Sequence, residues 1–138
     1  MVGFDVRGVK LNDYGDIHKL NSKFDYSNIK SISEDKKSLM VVAQLNDDVI
    51  GYINSNITDD INNDKRLDIK DITVDEKYRG LGVGHQLMLE LEKNAKNNQI
   101  NYIVSNNNYY DEEEINFYRR QGFKGNNNFK FVKEYIIQ

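Results

Sequence analysis

The chain has 138 residues, enough for one domain with its own core, and its 38% content of hydrophobic residues excludes a disordered chain. It has no cysteine and only two histidines, which excludes disulfide scaffolds and cysteine nucleophiles, and we expect no metal site. The net charge of −3 offers no positive field to nucleic acid, and no apolar stretch has the length of a membrane span. We therefore expect a cytoplasmic protein in which residues 1–138 form a single domain.

The first third of the chain predicts one strand and two helices. A strand is expected over 4–9 and a weaker helix over 26–37. Between them, apolar residues at helical spacing predict a helix with one apolar face, formed by Ile17, Leu20 and Phe24.

The middle of the chain predicts three strands. The apolar run 39–45, a polar turn and the run 49–57 are typical of a hairpin. Residues 67–74 alternate between apolar and polar except at Lys70 and Asp71. That interruption predicts a β-bulge or a bend in the third strand.

Two more helices and a strand follow. Apolar residues recur at helical spacing over 83–97, and a short buried strand is expected over 102–104. Asp111 and Glu114 have the spacing of a capping box, which predicts a helix that begins there.

The chain is predicted to close with a hairpin that joins 123–124 to 129–137. Its apolar end, Tyr135 to Ile137, could pair along an edge with a second subunit, so a homodimer is a possible assembly. The order of elements predicts a mixed α/β (α+β) fold, a central twisted mixed sheet flanked by about four helices.

A glycine-rich loop, Arg79-Gly-Leu-Gly-Val-Gly84, lies between the strand 67–74 and the helix 83–97. Alternate glycines let a backbone approach a ligand closely, and N–H groups at a helix N-terminus favour a phosphate or pyrophosphate. Neither a dinucleotide fingerprint, which would need glycine at His85, nor a Walker loop fits the sequence. The other interpretation is a turn that only joins strand and helix.

Two motifs carry a resemblance to a known family. Val74, followed after four residues by Arg79-Gly-Leu-Gly-Val-Gly84, resembles the acetyl-CoA pyrophosphate signature of the GNAT superfamily of N-acetyltransferases, Gln/Arg-x-x-Gly-x-Gly/Ala. Tyr118, followed after three residues by Gly122-Phe123, is similar to the late motif of that family. The order of elements matches over essentially the whole chain.

The resemblance implies a GNAT-like domain with splayed strands at a cofactor gap. It implies an enzyme that transfers the acetyl group of acetyl-CoA (coenzyme A) to a primary amine on a small molecule or a peptide. Carried over position by position, it assigns the pantetheine amides to the backbone of Ile72 and Val74. It assigns the pyrophosphate to the N–H groups around Arg79, Gly80, Gly82, Val83, Gly84 and His85, and it places Asn106 near the gap. His85 is equally consistent with an exposed first-turn residue.

Two residues are implied to carry the chemistry. Tyr118 matches the tyrosine that acts as general acid toward the departing sulfur, since a phenol with a pKa of about 10 is protonated at neutral pH. The alternative for Tyr118 is aromatic packing on the sheet. Asp71 is the candidate base, although a carboxylate needs burial or a water relay to take a proton from an amine. The alternative for Asp71 is a solvated carboxylate paired with Lys70 or Lys77.

The sequence departs from the family pattern at two positions. Asp111 stands where the family often has Asn, and Glu114 where it often has a small residue. Both are explained by helix capping, but charge pointing inward would weaken binding of a phosphate-bearing ligand. The departures motivate an alternative function, a catalytically weak or inactive GNAT-fold module that binds acyl-CoA or a protein partner.

Overall fold

The computed structural model describes residues 3–135 and is built on a six-stranded sheet whose strands are arranged in chain order. All neighbouring strands are antiparallel except β4 and β5, which are parallel, so the predicted mixed α/β fold is confirmed. The strands are β1 Asp5–Gly8, β2 Ser38–Leu45, β3 Asp48–Asp59, β4 Lys65–Val74, β5 Tyr102–Ser105 and β6 Phe131–Glu134. The helices are α1 Tyr14–Leu20, α2 Tyr26–Glu34, α3 Val83–Asn97 and α4 Glu112–Arg120. Within the described part of the chain, each helix is too short or too polar to cross a bilayer.

The first helix is shorter than its apolar pattern predicts. Asn21 adopts an extended backbone that ends α1, so Phe24 lies beyond the helix rather than on its face. Phe24 is nevertheless buried, because its ring packs edge-on against Tyr52 with the centroids 5.5 Å apart. The apolar spacing therefore identified a core residue correctly and assigned it to the wrong element.

The predicted closing hairpin is also smaller. The expected strand over 123–124 is reduced to a single bridge between Lys124 and Val132. Strand β6 forms one edge of the sheet, but Ile136 and Ile137, part of the proposed dimer edge, lie outside the described residues. The homodimer stays a prediction.

The two faces of the sheet carry separate cores. Helix α3 covers one face, where Leu67 and Ile69 of β4 pack with Leu87, Met88 and Leu91. Helices α1 and α2 cover the other face, and their core consists of Ile17, Phe24, Ile29, Met40, Val42, Val49 and Tyr52. Successive residues of a strand point to opposite faces, so the central strands contribute alternately to the two cores.

The predicted irregularity in β4 is a bulge at Lys70. Ser55 of β3 pairs with Ile69 and the preceding Asn54 pairs with Asp71, so Lys70 is an extra residue without a partner of its own. An extra residue reverses which positions face which side. Consequently Ile69 and Ile72, three residues apart, belong to the same core on the α3 face.

The bulge also marks the point where β4 parts from β5. The two strands pair only from Arg66 to Ile69, and β4 then continues to Val74 without β5 beside it. Just beyond β4, Asp75 N donates to Ile50 O at 2.8 Å, so that residue faces β3. Because backbone groups alternate along a strand, the N–H and C=O groups of Ile72 and Val74 face the open side. The splayed strands expected from the resemblance are therefore present.

Candidate active site

A cleft of about 590 Å³ opens beside the free end of β4, between that strand, the loop before α3, and α4. It brings together nearly all of the residues that the sequence assigned to the site. Those that line it are Ile72, Val74, Arg79, Gly80, Gly82, Val83, Gly84, His85 and Tyr118. Asp71 and Asn106 are not among its lining residues.

The glycine loop presents backbone to the cleft. Gly80 and Gly82 have φ angles of 79° and 83°, in the left-handed region that costs other residues about 1–2 kcal/mol. Gly82 is the N-cap of α3, and no side chain caps the helix there. The first-turn N–H groups of α3 are therefore available to a ligand, and the helix dipole favours an anion at this position.

Gly84, in the first turn of α3, lets the helix approach α4 closely. A Cβ at this position would lie 3.1 Å from Phe117 Cε1 and 3.8 Å from Ile72 Cδ1. A side chain here would therefore press on the wall of the cleft that α4 forms.

Polar side chains tie the loop and the helices together around the cleft. Arg79 Nε donates to Val74 O at 3.2 Å, and its guanidinium is exposed. His85 Nδ1 lies 2.8 Å from Gln121 Oε1, which links the start of α3 to the end of α4. Arg120 also lines the cleft, next to Gln121 in the sequence, and adds a positive charge to it. Arg79 and Arg120 together favour an anion in the cleft.

Tyr118 belongs to the cleft and to the core at once. It is only 2% exposed, and its ring stacks on Phe131 with the centroids 5.0 Å apart. Burial raises the pKa of Tyr118 to about 12, and the charge of Asp71 adds a smaller upward effect. The phenol is therefore protonated at neutral pH, and the two interpretations of Tyr118, aromatic packing and a role in the site, are compatible.

The N-terminus of α4 brings negative charge to the cleft. The predicted capping box is present: Glu114 N donates to Asp111 Oδ1 at 2.8 Å, and Asp111 N donates to Glu114 Oε1 at 3.3 Å. Both residues line the cleft together with Glu113. The two residues that depart from the family pattern thus cap the helix and also face the binding space.

Asp71 lies on the opposite face of β4, toward α1. The hydroxyl of Tyr52 donates a short hydrogen bond to Asp71 Oδ2, and Asn21 Nδ2 is 3.4 Å from the same oxygen. Within residues 3–135, no ion pair joins Asp71 to Lys70 or Lys77. The alternative of a solvated, lysine-paired carboxylate is therefore wrong.

Asn106 has a structural contact away from the cleft. Its Oδ1 accepts a hydrogen bond from Lys130 N at 3.1 Å, which ties the loop after β5 to the approach to β6. Three more residues line the cleft and were not predicted, although their helical spacing from Glu113 and Glu114 marks one face of α4: Phe117, Arg120 and Gln121. Asn21 and Tyr52, which contact Asp71, were not predicted either, because no local pattern in the sequence points to them.

Comparisons with known proteins agree with this geometry. A family model described as "Acetyltransferase (GNAT) family" matches residues 11–123. No curated protein matches the sequence.

Several solved structures share the fold at low sequence identity. A transcriptional regulator from Bacillus halodurans C-125 superposes with a TM-score of 0.81 and 19% identity, over 97% of this chain and 100% of that one. A PaiA N-acetyltransferase from Thermoplasma acidophilum in complex with coenzyme A gives 0.79 and 16%, over 96% and 99% of the two chains. Glucosamine-6-phosphate N-acetyltransferase from Arabidopsis thaliana gives 0.75 and 18%, over 97% and 99%.

Proposed function

This chain belongs to the GNAT family of acetyltransferases, and we propose that it transfers the acetyl group of acetyl-CoA to a primary amine by direct attack on the thioester. One observation carries the proposal: open backbone groups of β4, the uncapped start of α3 and the buried Tyr118 converge on one cleft. The sequence has no cysteine, so no cysteinyl intermediate enters the reaction.

The residues of the cleft fit acetyl-CoA, the cofactor of the family. The first-turn N–H groups of α3 and the guanidinium of Arg79 suit a diphosphate, because the loop glycines leave the backbone uncovered. The open C=O group of Ile72 and the open N–H group of Val74 suit the pantetheine amides, which pair with a strand edge as another strand would, while Val74 O accepts from Arg79 Nε. When bound, acetyl-CoA supplies an acetyl group activated as a thioester.

We assign the proton transfers to Asp71, on the α1 side of β4, and to Tyr118, in the cleft on the other side of that strand. Asp71 accepts, directly or through a water, the proton that an alkylammonium must lose before its nitrogen can attack. The new N–C bond forms at the carbonyl carbon, and the C–S bond to coenzyme A breaks. The Ile72 N–H, the other open strand donor near Val74, donates to the thioester carbonyl oxygen as that atom gains negative charge. Tyr118 donates its phenolic hydrogen to the departing sulfur, and the second proton that the nitrogen loses as the amide forms restores the phenol, whose protonated form burial favours.

The acceptor is proposed to approach from the α1 side. A second groove of about 520 Å³ reaches the same end of β4, sharing Thr73 and Val74 with the cleft. Its walls carry Asp16, Asp48, Asp75 and Glu76, but also Lys19, Lys77 and Arg79. Mixed charge does not select one acceptor class, so a small-molecule amine and a peptide amine both stay candidates.

The test is an acetylation assay on a panel of amines: a polyamine, an aminoglycoside, glucosamine 6-phosphate, and peptides with a free N-terminus or lysine. A thiol reagent reads only the released coenzyme, because the protein has no thiol of its own. We expect acetylation of one class, and a Tyr118→Phe variant about 10- to 100-fold slower in kcat with unchanged affinity for coenzyme A. Tyr109→Phe, at a ring 77% exposed, is the matched control and should act as wild type.

A second candidate function rests on the carboxylates of α4. Asp111, Glu113 and Glu114 all line the cleft, where they oppose a polyanionic ligand. A non-catalytic module that binds acyl-CoA would bind the coenzyme in calorimetry and acetylate no amine of the panel. That outcome would replace the transferase proposal.

A further inference from the structure

A cluster of polar side chains on the α1 side of β4 is centred on the hydroxyl of Tyr52, a residue outside the cleft. Tyr52 lies on β3 and is fully buried, at 0% exposure. Its hydroxyl contacts three side chains from two separate parts of the chain. These are Asn21, just after α1, and Asp71 and Thr73 on β4.

The hydrogen bonds in this cluster have a fixed direction. The amide Nδ2 of Asn21 donates to the Tyr52 oxygen at 3.0 Å, and the Thr73 hydroxyl donates to it at 3.2 Å. With both acceptor sites of the phenol occupied, its one hydrogen is left for Asp71 Oδ2. The carboxylate is thus held at one oxygen by a buried donor.

The other carboxylate oxygen is left without a protein donor. Asp71 Oδ1 is buried and has no hydrogen-bond partner among the described residues. The same is true of Oδ1 of Asn54, the residue of β3 that pairs with Asp71 and is only 8% exposed. Paired residues place their side chains on one face of the sheet, so two buried acceptor oxygens share this face beside the gap. Buried acceptors without donors are costly, and a group that carries N–H would satisfy them.

We propose that Tyr52 is a positioning residue: its hydroxyl, oriented by Asn21 and Thr73, holds Asp71 by Oδ2 and leaves Oδ1 to take the proton of the amine. This inference rests on the proposed function, in which Asp71 is the base. Among the described residues, Asp71 is the only charged hydrogen-bond partner of Tyr52.

The test compares Tyr52→Phe with a matched loss elsewhere. Tyr102→Phe removes a similar hydroxyl, which donates to Asp60 Oδ2 at 2.8 Å in a different region. The first readout needs no acceptor: it is the carboxyl ¹³C chemical shift of Asp71 at neutral pH, assigned by its loss in Asp71→Asn. In Tyr52→Phe this resonance should move, because the hydrogen bond to Asp71 Oδ2 is lost. Tyr102→Phe should leave it in place.

The second readout is the rate of the acetylation assay with the amine that the panel identifies. Tyr52→Phe should lower kcat about tenfold with KM for acetyl-CoA unchanged, because Asp71 is no longer held in position. If Asp71→Asn is inactive while Tyr52→Phe keeps the wild-type kcat and resonance, the role of Tyr52 is overturned and the transferase proposal stands. If Asp71→Asn retains full activity, the base assignment itself fails. An unmoved resonance overturns the inference even if no acceptor is found.

Discussion

Beyond its bulge, the two faces of β4 present different kinds of groups to the proposed site. Toward α3, the proposed cofactor half is mostly backbone: strand amides, a glycine loop and the start of a helix. Toward α1, the proposed acceptor half is made of side chains from three distant segments, which meet at Asp71. The first half should therefore be sensitive to changes in backbone conformation, and the second to the loss of single polar atoms.

The largest expected effect is a loss of coenzyme A affinity when the glycine loop is altered. Gly82→Asp places a side chain on a residue with φ of 83° and adds a negative charge where the diphosphate would bind. Strain and repulsion together should weaken coenzyme A binding about 100-fold, measured by calorimetry. Gly8→Asp adds the same charge at the end of β1, where a Cβ meets nothing within 4 Å, and should bind normally. Affinity within threefold of wild type for Gly82→Asp would show that the loop does not hold the diphosphate.

A smaller effect, on stability, should come from a change at Gly51, which lies on β3 and pairs with Val74 of β4. A Cβ at Gly51 would lie 3.0 Å from Thr73 O and 3.4 Å from Val74 Cα, so Gly51→Ala pushes on the strand that both halves share. We expect a loss of about 2 kcal/mol in the free energy of unfolding, measured by urea denaturation. Gly8→Ala is the control, and equal stability of the two variants would contradict the close contact.

Asn21→Ala tests how far the rate depends on the polar cluster on the α1 side of β4. Asn21 orients the Tyr52 hydroxyl and lies at 3.4 Å, beyond good hydrogen-bond distance, from Asp71 itself. Its loss should lower kcat about threefold, less than Tyr52→Phe, with coenzyme A affinity unchanged. A loss as large as that of Asp71→Asn would mean that Asn21 contacts the acceptor directly.

The smallest expected effect is that the ionisation of Tyr118 leaves kcat unchanged with pH over the ordinary assay range. Burial raises the pKa of Tyr118 to about 12, so its phenol keeps its proton at every pH below about 11. The rate constant kcat should show no descending limb from Tyr118 between pH 7 and about 10. A limb centred near pH 10 that disappears in Tyr118→Phe would contradict the burial of this hydroxyl.

The same contrast explains what could be predicted from the sequence. The loop from Arg79 to Gly84 is contiguous and has a recognisable spacing, so a glycine turn at the start of a helix was predictable, as was the irregularity at Lys70. The cluster of Asn21, Tyr52 and Asp71 spans fifty residues of sequence and forms only when the sheet does. A hydrogen bond between distant side chains leaves no periodicity or motif, so the sequence suggested only nearby lysines as partners of Asp71.

The bulge in β4 bends the strand at the point where it leaves β5. Lys70 is exposed, and its contribution is to be one residue more than the strand opposite requires, so its side chain is replaceable. In-frame loss of its codon would place Ile69 next to Asp71, and strict alternation would then keep Asp71 and Ile72 on their present faces. Such a deletion would remove the local bend without exchanging polar and apolar side chains, and would separate what strand geometry contributes here from what the side chains contribute.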